Sequence, residues 1–199
     1  VSRVYIADDG RRYRVARTFI DAGYNSSNVY HFCKQWAHGV TPIAGRAGTT
    51  KGQLVREFQK FTTSAGTIGA HIAVDFFKDE LSAVLKRKWN GEGTMPPGHF
   101  IAPAEVSDEQ LKELTVEYKK MVFDKKTGHK KGVQWIRPSG AANELWDLCC
   151  YARGGLAIVA HSVMVEHLEL DEVDMAAFWR LCEERAMYWA PPIEVDAAS

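Results

Sequence analysis

Short runs of alternating apolar and polar residues flank Asp8-Asp9-Gly10, a turn signal that predicts a hairpin with Val4, Ile6, Val15 and Phe19-Ile20 facing inward. The second arm ends on an acid, Asp21. Beyond it, Ala22 to Ser27 can turn the chain and cap a helix whose apolar positions Val29, Phe32, Cys33 and Trp36 follow the helical period. Val40 to Ala44 reads as another strand, followed by the glycine-rich, basic loop Gly45 to Gly52. Ile68 to Val74 is a buried strand running into Asp75, and Phe76, Phe77, Leu81, Val84 and Leu85 then give an amphipathic helix to about Trp89.

After a stretch broken by Gly and Pro, His99-Phe100-Ile101 is short and extended, and Ser107-Asp108-Glu109 opens a helix with Leu111, Leu114 and Tyr118 on its inner face. Tyr118 to Phe123 and Val133 to Ile136 flank the basic tip Asp124 to Lys131, the pattern of a second hairpin. A long apolar helix is expected from Ala141 to about Val165, weakened at Gly154-Gly155, and another from about Val173 to Tyr188. Strands interleaved with helices predict an α/β layer structure.

The 199 residues are 46% apolar, enough for a sizeable core without disulfide or metal staples. With 25 basic and 25 acidic side chains, no global positive charge advertises a nucleic-acid partner, so any such contact must be local. Four cysteines without Cys-x-x-Cys spacing read as reduced core thiols of a cytosolic protein. No apolar run is expected to span a membrane.

Chemistry enters at two places. Asp21 closes an apolar strand where the chain turns into a helix, the position from which open α/β sheets contact ligands, although a helix cap would look the same. Asn143, Glu144, Asp147 and Tyr151 share one polar stripe on an otherwise apolar helix. Two distant carboxylates brought together repel unless a cation sits between them; for oxygen ligands that points to Mg²⁺ or Mn²⁺ rather than zinc.

Phe19-Ile20-Asp21-Ala22-Gly23-Tyr24, Val29-Tyr30-His31-Phe32-Cys33, Val74-Asp75-Phe76-Phe77-Lys78, Pro97-Gly98-His99-Phe100 and Asn143-Glu144-Leu145-Trp146-Asp147-Leu148-Cys149-Cys150-Tyr151-Ala152 occur in this order. In that order, over roughly residues 10 to 160, the chain resembles the nuclease domain of the lambda-like branch of tailed-phage large terminase subunits. The resemblance implies an RNase H-like α/β fold, a mixed central sheet flanked by helices, and cleavage of concatemeric double-stranded DNA with two divalent ions, Mg or Mn. It assigns catalytic and metal-binding roles to Asp21, bridging both ions, and to Asp147. Glu144, Asp75, Lys78 and His99 are further site candidates, each with a plain alternative as a helix-surface charge, cap or turn residue.

Family members also carry an essential Asp on a first strand, in a segment before this hairpin, so the domain is expected to be N-terminally truncated. Asp8 and Asp9, in a turn, do not match that ligand, and no Gly-x-x-x-x-Gly-Lys-Ser/Thr phosphate loop occurs. Basic loops bearing Arg46, Lys51, Lys125, Lys126, Lys130 and Lys131 are candidate phosphate contacts. The implied partners are double-stranded DNA, the ATPase motor domain of the same subunit, the small terminase subunit and the portal or procapsid, in the host cytoplasm. Residues 1–165 are expected to form the nuclease domain and 166–199 a helix and tail that could dock a packaging partner through Phe178, Trp179 and Leu181. A resolvase or integrase-type nuclease and a catalytically silent assembly module remain open.

Overall fold

The structure, a computed structural model, describes residues 4–6, 10, 12–36, 39–46 and 57–189, with side chains described as far as residue 184. Strands β1 (Val4–Ile6) and β2 (Arg12–Arg14) pair antiparallel as the predicted first hairpin. Its arms are shorter than the pattern implied, because the chain leaves β2 and starts a separate strand, β3 (Thr18–Asp21). Val4, Ile6 and Val15 are exposed rather than inward-facing, since the hairpin forms its own two-stranded sheet. Asp8 and Asp9 lie outside the described residues.

Helix α1 (Ser26–Gln35) returns the chain to β4 (Val40–Arg46), which runs parallel to β3. Strand β5 (Phe58–Thr62), which the pattern did not reveal, pairs antiparallel with β6 (Ile68–Ala73), and β6 lies parallel to β4. The resulting mixed sheet has the order β3-β4-β6-β5, with β3 at one edge. Its inner strands carry buried residues on both faces, Pro42 and Ile43 in β4 and Gly69, Ala70 and Ile72 in β6, as central parallel strands do. Phe32 and Trp36 of the α1 segment are exposed, and Cys33 is the residue that enters the core.

Pairing register sorts the two faces. Asp21 pairs with Ile43, Ile43 with Ala70 and Gly45 with Ile72, so these residues share one face with Phe19. Arg46 and His71 point to the other face, where His71 stacks on Phe61 at 4.1 Å and Tyr30 of α1 meets Phe61 edge-on.

Helix α2 (Val74–Leu85) follows β6 without a loop and ends before Trp89. Helix α3 (Asp108–Glu113) opens with the expected Ser107 cap, completed as a capping box by Gln110. It stops too early to hold Tyr118, which is exposed on a strand; Leu111 is also exposed, and Leu114 alone of the three is buried. The second hairpin forms as expected from β7 (Tyr118–Phe123) and β8 (Lys130–Ile136).

Helix α4 (Glu144–His161) continues into a π-helical turn (Ser162–His167) and crosses the face that carries Phe19 and Ile72. Gly154 and Gly155 do not weaken it. They let helix and sheet approach closely: a Cβ at Gly154 would lie 2.9 Å from Ile72, and one at Gly155 would lie 2.7 Å from the Phe19 ring. Trp146, Cys150 and Ile158 of α4 join Ile43, Ile72, Phe77 and Leu81 in the main core. Gly155→Ala is expected to lower stability on urea unfolding, because overpacking costs ~1–3 kcal/mol and exceeds the ~1 kcal/mol that helix propensity returns. An unchanged midpoint would show that Phe19 can move aside.

By length and composition alone, the 24-residue segment Glu144–His167 is long and apolar enough to cross a membrane, its most apolar 18 residues having a mean hydropathy of 1.5, where the sequence reading expected no such run. Trp146, Cys150 and Ile158 of this helix are buried against the sheet, while Leu148 is exposed. Helix α5 (Met175–Trp189) packs back on it through Phe178, buried with Ala160 and Met164, while Trp179 is half-exposed. All four cysteines are free thiols; Cys33 and Cys150 are buried, Cys149 and Cys182 half-buried.

Candidate active site

Parallel strands β3 and β4 end at Asp21 and Arg46, and α4 crosses above them. Asp21 is exposed at the carboxyl end of β3, its Oδ1 accepting the Gly23 N–H at 2.8 Å. Above it, the Tyr151 hydroxyl of α4 accepts the Gly45 N–H at 3.3 Å, under the charge of Asp21. Gly45 leaves room for this, since a Cβ there would lie 3.1 Å from the hydroxyl oxygen. Burial, followed by the charge of Asp21, pushes the Tyr151 phenol up to about 12; Asp147 adds to the rise. The two acids singled out in the sequence therefore act on one phenol.

Asp147 lies one helical turn before Tyr151 and belongs to a buried polar network. Lys78 Nζ, on the inner face of α2, meets Glu117 Oε2 at 2.6 Å and Asp147 Oδ1 at 3.7 Å. Asn143 Nδ2 donates to Glu117 Oε1 and to Asp147 Oδ2, both at 2.8 Å, and Arg137 Nη1 donates to Asn143 Oδ1 at 2.5 Å. Lys78 and Glu117 are each 9% exposed and Asn143 4%. Burial pushes the Asp147 carboxyl above the usual range, opposed by Lys78, reinforced by Glu117, and opposed again by Asn143 and Arg137.

Of the further candidates, Lys78 joins Asp147, as a buried ion-pair partner rather than a surface charge. Glu144 opens α4 and accepts the Asn143 N–H at 3.0 Å, on the exposed side of the same turn. Asp75 lies in the first turn of α2, where a carboxylate opposes the helix dipole favourably. His99 stands elsewhere: its ring meets Trp89 edge-on beyond the carboxyl end of α2. Glu117 and Arg137 were not anticipated, and no periodicity marks them, since each flanks a strand of the β7–β8 hairpin and finds its partner on another element.

The basic candidates divide. Arg46 points to the face opposite Asp21, where its guanidinium meets His71 Nε2 at 2.8 Å. Lys51 lies outside the described residues. Lys125, Lys126, Lys130 and Lys131 cluster around the exposed tip between β7 and β8.

Asp124 shapes that tip. Its Oδ1 accepts the N–H groups of Thr127 at 2.9 Å and Lys126 at 2.8 Å, and its Oδ2 meets Lys131 Nζ at 3.0 Å. The Thr127 N–H first, then Lys131 and the Lys126 N–H, hold its carboxyl at about 2 against an ordinary 3.8. A lowered folded-state value means that Asp124 stabilises the turn fully above its ordinary pKa and loses that contribution as the pH falls through about 2. A carboxyl ¹³C NMR titration should find that low midpoint; one at the ordinary value would mean that the turn is not held.

Asp21 and Asp147 offer hard carboxylate oxygens, which suit Mg²⁺ or Mn²⁺ in kind. Among the described residues no group of three His, Cys, Asp or Glu side chains forms a metal cluster. The additional acid beside Asp147, Glu117, is committed to Lys78 and Asn143.

Fold and site together define a mixed α/β domain with a carboxylate at the end of a parallel strand and a second on the helix crossing above it. Residues 1–167 match the family model for the terminase large subunit gpA, endonuclease domain, and the chain belongs to that family, the nuclease of phage DNA packaging. The match ends with the π-helical turn and leaves α5 beyond it. No curated protein and no solved structure matches the chain significantly.

Proposed function

We propose that this chain is a divalent-metal-dependent endonuclease of RNase H-like architecture that cuts concatemeric double-stranded DNA during packaging. The observation that carries the reading is the placement of Tyr151, one helical turn after Asp147, with its hydroxyl on the Gly45 N–H two residues beyond the strand partner of Asp21, which brings two acids from opposite ends of the sequence to one end of the sheet. Asp21 and Asp147 would hold Mg²⁺ or Mn²⁺, and such ions supply an activated water and stabilisation of the departing oxygen. Within the chain, the Gly23 N–H orients Asp21, while Asn143 and Lys78 orient Asp147. The lysines of the β7–β8 tip grip phosphates. The ATPase motor domain of the same subunit, the small terminase subunit and the portal or procapsid are the proposed partners.

A second reading, a catalytically silent assembly module, is favoured by the half-exposed Trp179 on α5 and by the absence of a three-residue metal cluster among the described residues. The test is nicking of supercoiled plasmid with manganese present and after chelation. Manganese-dependent nicking is expected. Intact folding without manganese binding or nicking would favour the assembly module, and preference for branched over linear DNA would redirect the reading to a resolvase.

A further inference from the structure

The loop that follows Asp21 projects an aromatic side chain into water. Tyr24 is 90% exposed, more than any other large apolar or aromatic side chain among the described residues. A ring that leans on nothing adds nothing to the core, and in water it forgoes the ~150–250 Å² of contact that an aromatic side chain can bury.

The loop itself is fastened at both ends. Ala22 is buried, and its N–H donates to the Ile43 carbonyl at 2.7 Å, which carries the β3–β4 pairing one residue past Asp21. The Gly23 N–H donates to Asp21 Oδ1 at 2.8 Å, and a Cβ at Gly23 would lie 3.1 Å from that oxygen, so the loop is folded onto the carboxylate. Asn25 then adopts a left-handed conformation at φ 50°, which asparagine tolerates better than most residues. Its carbonyl accepts the N–H groups of Asn28 at 3.1 Å and Val29 at 3.3 Å and ties the loop to α1. The backbone that carries the ring is therefore positioned by the acid on one side and by the helix on the other.

Tyr24 stands three residues after Asp21, a span of at most ~11 Å at ~3.6 Å per residue. A DNA strand rises ~3.4 Å per nucleotide, so a phosphate carried at Asp21 has this ring within about three base steps. Between its phosphates a strand presents the less polar edges of sugars and bases. A tyrosine ring suits those edges, because it offers a large amphipathic surface with only two side-chain torsions to fix.

We propose that Tyr24 is a substrate-contacting residue: its ring packs on the sugar and base edges of duplex DNA beside the phosphate carried at Asp21 and holds the strand in place against that carboxylate. The inference rests on duplex DNA being the substrate, and it adds to the nuclease reading a contact that no charge supplies.

The experiment is binding of a fluorescently labelled blunt duplex oligonucleotide to the full chain, followed by anisotropy over a range of salt, with calcium in place of manganese. Tyr24→Ala is expected to weaken binding about tenfold, as loss of an aromatic contact to a nucleotide does. The slope of log K against log salt should not change, because a ring releases no counterion. Tyr24→Phe keeps the ring and should bind like the parent chain. Both variants should unfold in urea at the parent midpoint, since the side chain is exposed. The proposal is overturned if the parent chain does not bind duplex, if Tyr24→Ala binds as the parent does, or if its slope falls by about one, the mark of a lost phosphate contact. It is also overturned if Tyr24→Phe loses as much as Tyr24→Ala, which would assign the contact to the hydroxyl. A chain that nicks with manganese but shows no Tyr24 effect loses this inference alone; one that shows the Tyr24 effect without nicking loses the nuclease reading alone.

Discussion

Lys78→Met is expected to destabilise the domain by ~3–5 kcal/mol, the cost of stranding one partner of a buried ion pair. The Lys78 and Glu117 side chains are only 11% and 4% exposed, so solvent cannot take over from the lost ammonium, and Glu117 would stay charged against Asp147 or gain a proton at a cost. Adding Glu117→Gln should recover much of the loss, because glutamine removes the stranded charge and still accepts from Asn143. Urea unfolding of the two single variants and the double variant measures this directly, since contacting residues are not additive. A loss below ~1 kcal/mol in Lys78→Met would mean that the pair contributes no more than an exposed one.

The largest effect on activity is expected from the two acids. Asp21→Ala and Asp147→Ala should each lower manganese-dependent nicking by about a thousandfold or more, equivalent to ~4 kcal/mol of barrier. Folding should survive both changes. Asp21 is exposed, and removing Asp147 leaves the Lys78–Glu117 pair and the Asn143–Glu117 bond in place. Tyr151→Phe should fall between these variants and the parent chain, because it removes the hydroxyl held on the Gly45 N–H beside Asp21, a neutral hydrogen bond worth ~0.5–1.5 kcal/mol. Equal nicking by all four proteins would place the chemistry elsewhere.

Much of this was legible because local rules and tertiary packing agree. The Ser107 and Gln110 capping box, the turn chemistry of the β7–β8 tip and the apolar runs of β4 and β6 each announce their element. Asp21 and Asp147 stood out as a strand-end acid and a polar stripe on an apolar helix, before geometry related them. Strand β5 escaped because only two of its five residues are apolar. Gly154-Gly155 was misjudged because a glycine pair in a helix signals weakness until the Phe19 and Ile72 side chains it admits are seen. Glu117 and Arg137 were invisible for the same kind of reason. Their roles are fixed by partners on α2 and ahead of α4, and non-local pairing leaves no period in the chain.

Strand β3 closes one side of the sheet, and Asp21 is its last residue. Such a border offers backbone donors and acceptors to any extended chain that comes alongside, and proteins commonly guard it with charge. Asp21 thus doubles as a gatekeeper against strand addition. Neutralising it, whether by substitution or by a captured cation, makes the molecule stickier along that border. Self-association in Asp21→Ala but not in Asp147→Ala would then reflect the unguarded strand and not the chemistry.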